Sequence, residues 1–183
     1  GHAVAAAGSS KACSLYPRAA TAYEGRTIYA NMPVAGAMRA YGAPQTIYAM
    51  ECNMEDAARQ IGMDSVLFRL KNVAVEGNIN PLSRLPLLSC GIKECLIKGK
   101  EWIRWDEKKI AYANHKSGPV RKGLGVACFS YGSGTYPVCV EIAGTRLVLN
   151  PDGSVSLQVG AVEIGQGSDT AAVQMAAETI GVP

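Results

Sequence analysis

Residues 145–181 read TRLVLNPDGSVSLQVGAVEIGQGSDTAAVQMAAETIG, and this stretch decides the fold class. Pro151-Asp152-Gly153 stands between two aliphatic, β-branched runs, a hairpin signal in which glycine is free to take positive φ. VCVEIAGTRLVLN supplies the strand before the turn and SVSLQVGAV the strand after it. Gly165-Gln166-Gly167 then leads into a helix, SDTAAVQMAAETIG, with Ser168 as the expected N-cap and Gly181 as the stop. LGVACFSY, upstream of the hairpin, reads as one more strand.

Before residue 118 the pattern is helical. Pro44 sits where a helix can begin, because its missing N–H costs nothing in the first turn. From there Ile47, Met50, Met54, Ala57, Ala58 and Ile61 recur at helical spacing, Glu55 and Arg59 form an i,i+4 pair, and Gly62 ends the run. Asp64 is placed to cap DSVLFRLKN, whose Val66, Leu67 and Leu70 share a face. After the breaker EGNINPLSRLPLL a third helix is expected over 89–115, with Ile92, Cys95, Leu96, Trp102 and Ile103 inward. Residues 1–32 carry few periodic signals, with a short strand expected at 27–30 before the loop NMPVAGAMRAYGAP. The chain therefore reads as α+β: a helical N-terminal portion, then a strand-rich portion ending in a strand–GQG–helix unit.

Hydrophobic residues make up 48% of the 183 positions, which excludes intrinsic disorder, while charged residues reach only 18% against the roughly 25% usual for soluble domains. That leaves an unusually uncharged surface. No apolar run approaches the ~18 residues of a membrane span. Residues 91–122 hold nine Lys/Arg against four Asp/Glu, but the acids are interleaved, so the cluster reads as a solvated helix face and no nucleic-acid partner is expected. The six cysteines form no CxxC and have no histidine pair beside them, so no metal site is expected; free thiols in a reducing cytoplasm are the simplest account.

Two loops offer chemistry. Gly165-Gln166-Gly167 exposes backbone N–H groups at a helix N-terminus, which suits a polar cofactor edge or serves as a plain turn; Asp169 already satisfies the dipole. Met38-Arg39-Ala40-Tyr41-Gly42 offers a charged fork and an aromatic face to a planar ligand, or an ion pair and a core plug. With only His2 and His115 in the chain there is no Ser/His/Asp set, and Glu163 has no visible partner for acid/base work.

Several blocks, in order, resemble the molybdopterin-binding subunit of the xanthine dehydrogenase and aldehyde oxidase family, nearest in kind to the bacterial xanthine dehydrogenase molybdenum subunits. They are NMPVAGAMRAYGAPQ, MECNMEDAARQIG and RLKN, then GVACFSYGSGTYPVCVEIAG, PDGSV, GAVEIGQGSDT and QMAAETIGVP. The resemblance runs through nearly the whole chain from about Leu15. It implies a molybdenum–molybdopterin cofactor, with 2Fe-2S and FAD on partner domains or subunits. It also implies hydroxylation of a purine such as hypoxanthine or xanthine, by attack of a metal hydroxide and hydride transfer to the metal centre. Aldehydes or nicotinate-like heterocycles are the alternative substrates within the family, and a non-catalytic remnant or interaction domain is the alternative outside it.

Carried over by motif, Arg39 holds the cofactor, Tyr41 packs on the substrate ring, and Gly165, Gln166 and Gly167 lie against the pterin. An ungapped alignment back from PDGSV puts Thr135 and Tyr136 at a second substrate-packing pair. Ala40 stands where many family members have glycine. The family's base glutamate, in a Gly-rich C-terminal motif, has no match and is expected beyond Pro183. The implied organisation is an internal segment of a longer subunit: residues 1–118 end a first molybdopterin-binding region with its helical connector, and 119–183 begin a second. Its expected partners are the rest of that subunit, the iron–sulfur and FAD subunits and a small heterocyclic substrate; alone it is not expected to turn over.

Overall fold

The computed structural model describes residues 2–17, 20, 22–34, 36, 38–80, 84–115, 117–132 and 142–182. These form α1 (His2–Leu15), α2 (Ala43–Gln60), α3 (Ser65–Asn72), α4 (Ile92–Trp102), α5 (Trp105–Asn114), β1 (Thr145–Leu149), β2 (Val155–Val159) and α6 (Ser168–Ile180). They fall into two compact units, Gly1–Gly132 and Ser133–Pro183.

In the first unit, α1 arises from an alanine-rich stretch whose helix propensity is high but which carries no apolar period. α2 follows Gly42, with Pro44 in its first turn, and buries Ala43, Ile47, Glu51 and Ala58. Arg59 pairs with Asp56 rather than Glu55, because Glu55 is engaged by Ser65 and Arg69 of α3. Asp64 caps α3, accepting from Val66 N at 3.0 Å and Leu67 N at 3.2 Å. The long helix expected over 89–115 is two helices. The chain breaks at Ile103–Arg104, where Arg104 has φ 56°. The break turns Trp105 inward, so that its Nε1 donates to Asp64 Oδ2 at 3.0 Å, and leaves Trp102, expected inside, 81% exposed.

Leu15, Tyr16, Val66, Val73, Leu96, Trp105 and Cys128 form the core. LGVACFSY is not a strand. It runs extended with its backbone outside any ladder among the described residues, and Cys128 reaches the core through its N–H, which donates to Glu51 Oε2 at 3.1 Å. Residues 27–30 likewise form no strand; they are extended and exposed, without the apolar contacts that would hold a ladder there. Around Cys128 lies a buried polar cluster. Arg69, 1% exposed, donates from Nε to Glu51 Oε2 at 2.7 Å, and Tyr16 OH donates to Glu51 Oε1. Burial, then the neighbouring Glu51 charge, pushes the Cys128 thiol up to about 11, so it packs as a neutral small hydrophobe. Cys13, Cys52, Cys90, Cys95 and Cys128 are free thiols, and Cys139 lies outside the described residues. The basic stretch is solvated and paired: Lys98 with Glu94 at 2.6 Å, Lys100 with Asp106 at 2.8 Å, Arg104 with Glu107. No helix among the described residues is long and apolar enough to cross a membrane.

In the second unit, β1 and β2 pair antiparallel with Leu147 opposite Leu157. Gly153, φ 85°, closes the turn, and Asp152 Oδ1 accepts from Ser154 N at 2.9 Å. β2 stops at Val159, short of the expected Val162, and residues 160–167 carry the chain to α6. No described residue of this unit is buried.

Candidate functional site

Arg39, Ala40, Tyr41 and Gly42 make a tight turn immediately before α2. Tyr41 N donates to Met38 O at 2.8 Å and Ala43 N to Ala40 O at 2.9 Å. Three consecutive residues take positive φ: Ala40 at 76°, Tyr41 at 30° and Gly42 at 81°. For residues other than glycine this costs roughly 1–2 kcal/mol each. Gly42 is required on a second ground, since a Cβ there would stand 2.4 Å from Val4 O of α1. The Arg39 side chain is exposed and Tyr41 half-buried. A cation and a ring thus leave one short strained turn, and such strain concentrates at ligand-binding sites.

Sequence reasoning missed the residue beneath this turn. Lys11 Nζ, from α1, donates to Ala40 O at 3.2 Å and Tyr41 O at 2.5 Å. It also lies 5.6 Å from the centroid of the Tyr41 ring and 4.7 Å from that of Tyr131. The signal was faint, because α1 has no apolar period to mark its inward face.

The glycine turn of the second unit is held from within. Glu163 Oε1 accepts from Gly165 N at 2.5 Å and Gly167 N at 3.1 Å, and Oε2 accepts from Ser168 Oγ at 3.0 Å and Asp169 N at 3.3 Å. Gly167, φ 84°, is the N-cap of α6, not Ser168, and the side-chain oxygen at the helix start comes from Glu163. These bonds, led by Gly167 N, hold the Glu163 carboxyl down to about 2, so it is a fixed anion and not a proton acceptor. Gln166 folds back on its own backbone: Nε2 donates to Val162 O at 2.8 Å, and Oε1 accepts from Ile164 N at 2.7 Å. The turn's inward amides are therefore filled by the chain's own carboxylate.

Arg39 and Tyr41 are together on one turn; Gly165, Gln166 and Gly167 are together on the other, in the second unit. Thr135 and Tyr136 lie outside the described residues. No group of three or more His, Cys, Asp or Glu able to hold a metal occurs among the described residues. An open apolar groove of about 640 Å³ lies between α4 and residues 125–129, lined by Ile92, Leu96, Trp105, Val126 and Phe129 and by none of the expected site residues.

Residues 1–73 and 98–183 each match a family described as a molybdopterin cofactor-binding domain. A xanthine dehydrogenase molybdenum-binding subunit of Escherichia coli O157:H7 is 52% identical over 183 residues, which is 100% of this chain and 24% of that protein. An aldehyde oxidoreductase of Megalodesulfovibrio gigas is 33% identical over 85% of this chain and 17% of its own length. A xanthine dehydrogenase of Drosophila pseudoobscura pseudoobscura is 33% identical over 84% of this chain and 12% of its own length. The chain thus spans a quarter or less of the length of these relatives. No solved structure gives a significant match. On two cofactor-domain matches and 52% identity along the whole of this chain, the chain belongs to the molybdopterin-binding family of xanthine dehydrogenase and aldehyde oxidase molybdenum subunits.

Proposed function

We propose that the chain supplies cofactor- and substrate-contacting loops to a molybdenum hydroxylase that oxidises a purine such as hypoxanthine or xanthine. Arg39 holds the cofactor, Gly165, Gln166 and Gly167 lie against its pterin, Tyr41 packs on the substrate ring, and Thr135 and Tyr136 form a second packing pair. The observation that carries this reading is the position of the two turns: Arg39 falls inside one cofactor-domain match and the GQG turn inside the other. The residues present fit the group. An exposed guanidinium suits its anionic portion. The GQG turn, its inward amides taken by Glu163, suits an uncharged hydrogen-bonding edge rather than a phosphate.

When bound, molybdenum on its pterin supplies two-electron oxidation of an electrophilic carbon. The half-buried Tyr41 ring, leaving a turn that its neighbours lock, orients a flat substrate and excludes water from one face of it. Glu163 takes no part in proton transfer, so the base is supplied by another residue of the longer subunit. In this reading 1–118 ends one cofactor-binding region and 119–183 begins the next. The exposed apolar residues Ile28, Met32, Val34 and Met38 are then covered by the rest of the subunit. Partner 2Fe-2S and FAD groups would supply the exit for electrons, and the enzyme is cytoplasmic, in keeping with the free thiols among the described residues.

The purine reading draws support from the 52% identity to a xanthine dehydrogenase subunit, while the Drosophila xanthine dehydrogenase and the aldehyde oxidoreductase stand equal at 33%. The test is steady-state oxidation by the full-length assembly with xanthine, hypoxanthine, an aromatic aldehyde and nicotinate. The expected result is the highest kcat/KM on a purine. A higher value on the aldehyde or nicotinate moves the chain to the alternative substrate class, and an assembly without molybdenum would make it a remnant.

A further inference from the structure

α1 presents Val4, Gly8 and Lys11 on one face, at i, i+4 and i+7. The first two abut the turn before α2 by backbone alone: a Cβ on Gly42 would meet Val4 O at 2.4 Å and Gly8 N at 3.0 Å. The third ties down the turn's carbonyls, with Lys11 Nζ 3.2 Å from Ala40 O and 2.5 Å from Tyr41 O. These are the carbonyls of the turn's two non-glycine residues with positive φ, the conformation least able to persist unaided. The ammonium's remaining side faces the Tyr131 ring, centroid at 4.7 Å, and one turn on, Ser14 Oγ is hydrogen-bonded to Ser130 Oγ at 2.8 Å. A single helix face thereby carries both the Arg39–Tyr41 turn and the end of the extended 123–132 segment.

We propose that Lys11 is a positioning residue: by clamping the Ala40 and Tyr41 carbonyls it fixes the direction in which the Arg39 and Tyr41 side chains leave the turn toward their ligand. The proposal rests on the turn being the cofactor- and substrate-contacting one described above. A lysine is suited to it because one ammonium offers three donors within a small radius, enough for two adjacent carbonyls and a ring. Methionine at this position keeps the length and packing of the stem and loses every donor. Arginine keeps the charge and the donors.

The test uses the full-length molybdenum subunit, first without metal, as wild type, Lys11→Met and Lys11→Arg. Cleavage of the 39–40 bond by an arginine-specific protease reads how often the turn opens. Loss of two charge-assisted hydrogen bonds predicts about tenfold or more faster cleavage in Lys11→Met, with Lys11→Arg close to wild type and the melting temperature little moved in either. The same series, loaded with molybdenum, is expected to show lower metal retention in Lys11→Met, recovered in Lys11→Arg. Unchanged cleavage in Lys11→Met, or Lys11→Arg indistinguishable from Lys11→Met, overturns the clamp. Faster cleavage with unchanged metal retention overturns the link from clamp to ligand. A wild-type subunit that holds no molybdenum overturns the functional reading instead, while the cleavage comparison still decides the clamp. Should Lys11→Met not fold, Lys11→Gln, whose neutral amide keeps two N–H donors but no charge, is predicted to fall between wild type and the tenfold increase.

Discussion

Ala40 is the residue at which sequence and geometry conflict most directly. It holds φ 76°, where a Cβ is disfavoured, between an arginine and a tyrosine that both leave the same turn. The family resemblance had marked the position as one where glycine is common, and the positive φ now supplies the physical reason. Ala40→Gly should relieve strain of roughly 1–2 kcal/mol and lose part of that gain to the greater freedom of the unfolded chain, for a net stabilisation of about 0.5–1 kcal/mol. It is read as an upward shift of the denaturation midpoint, and a downward shift would mean that the methyl makes contacts outweighing the strain. Glu163 shows the opposite limit of sequence reading. Its four acceptor contacts depend on the positive φ of Gly165 and Gly167, and two glycines flanking a glutamine do not announce which way their N–H groups point.

At the scale of elements, local chemistry was legible wherever a cap or a turn residue fixed it. Asp64 before α3, Pro44 at the start of α2 and Pro151-Asp152-Gly153 between β1 and β2 stand where their side chains require. The break between α4 and α5 was not legible, because it is decided by a tertiary contact: Trp105 reaches Asp64, 41 positions away, only if the helix ends first. LGVACFSY has the alternation of a strand, but a strand needs a ladder, and one face of this segment packs on helices instead, through Leu124, Val126 and Cys128.

Asp64 joins these elements, capping α3 with Oδ1 while Oδ2 accepts from Trp105 Nε1 and, at 2.7 Å, from Lys109 Nζ of α5. Burial alone would raise its pKa, but the bonds from Lys109, Trp105 and Leu67 N outweigh that and hold it down from 3.8 to about 2. Because the folded-state value is depressed, its contribution is complete above about pH 4 and is lost as pH falls toward about 2. Asp64→Ala should cost about 1–2 kcal/mol at neutral pH. Acid titration of stability should then lose the part of its slope between those pH values; an unchanged slope would assign that slope to other carboxylates.

At the scale of the whole molecule, each unit must be held together with little help from surface charge. The first relies on the buried Glu51–Arg69 pair, which joins α2, α3, the end of α1 through Tyr16 and the extended segment through Cys128 N. Glu51→Ala leaves the buried Arg69 guanidinium with only its longer pair to the part-exposed Glu55, at 3.3 Å, and backbone carbonyls, and should destabilise this unit by about 3 kcal/mol, measured by denaturant unfolding. A loss within 1 kcal/mol would mean that water enters to solvate Arg69.

The 18% charge content finds its counterpart in exposed Ile28, Met32, Val34 and Met38 and in a second unit whose described residues are none of them buried. These surfaces are those expected of a part that packs against the remainder of a longer subunit and its cofactor. Membership of the family follows from the two cofactor-domain matches, whereas the work assigned to Arg39 rests on a motif and an exposed, strained turn. The most direct test of that central claim is the molybdenum-to-protein ratio of the purified full-length subunit, wild type against Arg39→Ala. A ratio near one in the wild type that falls severalfold on substitution is the predicted result; an unaltered ratio in Arg39→Ala, or a wild type free of molybdenum, would contradict it.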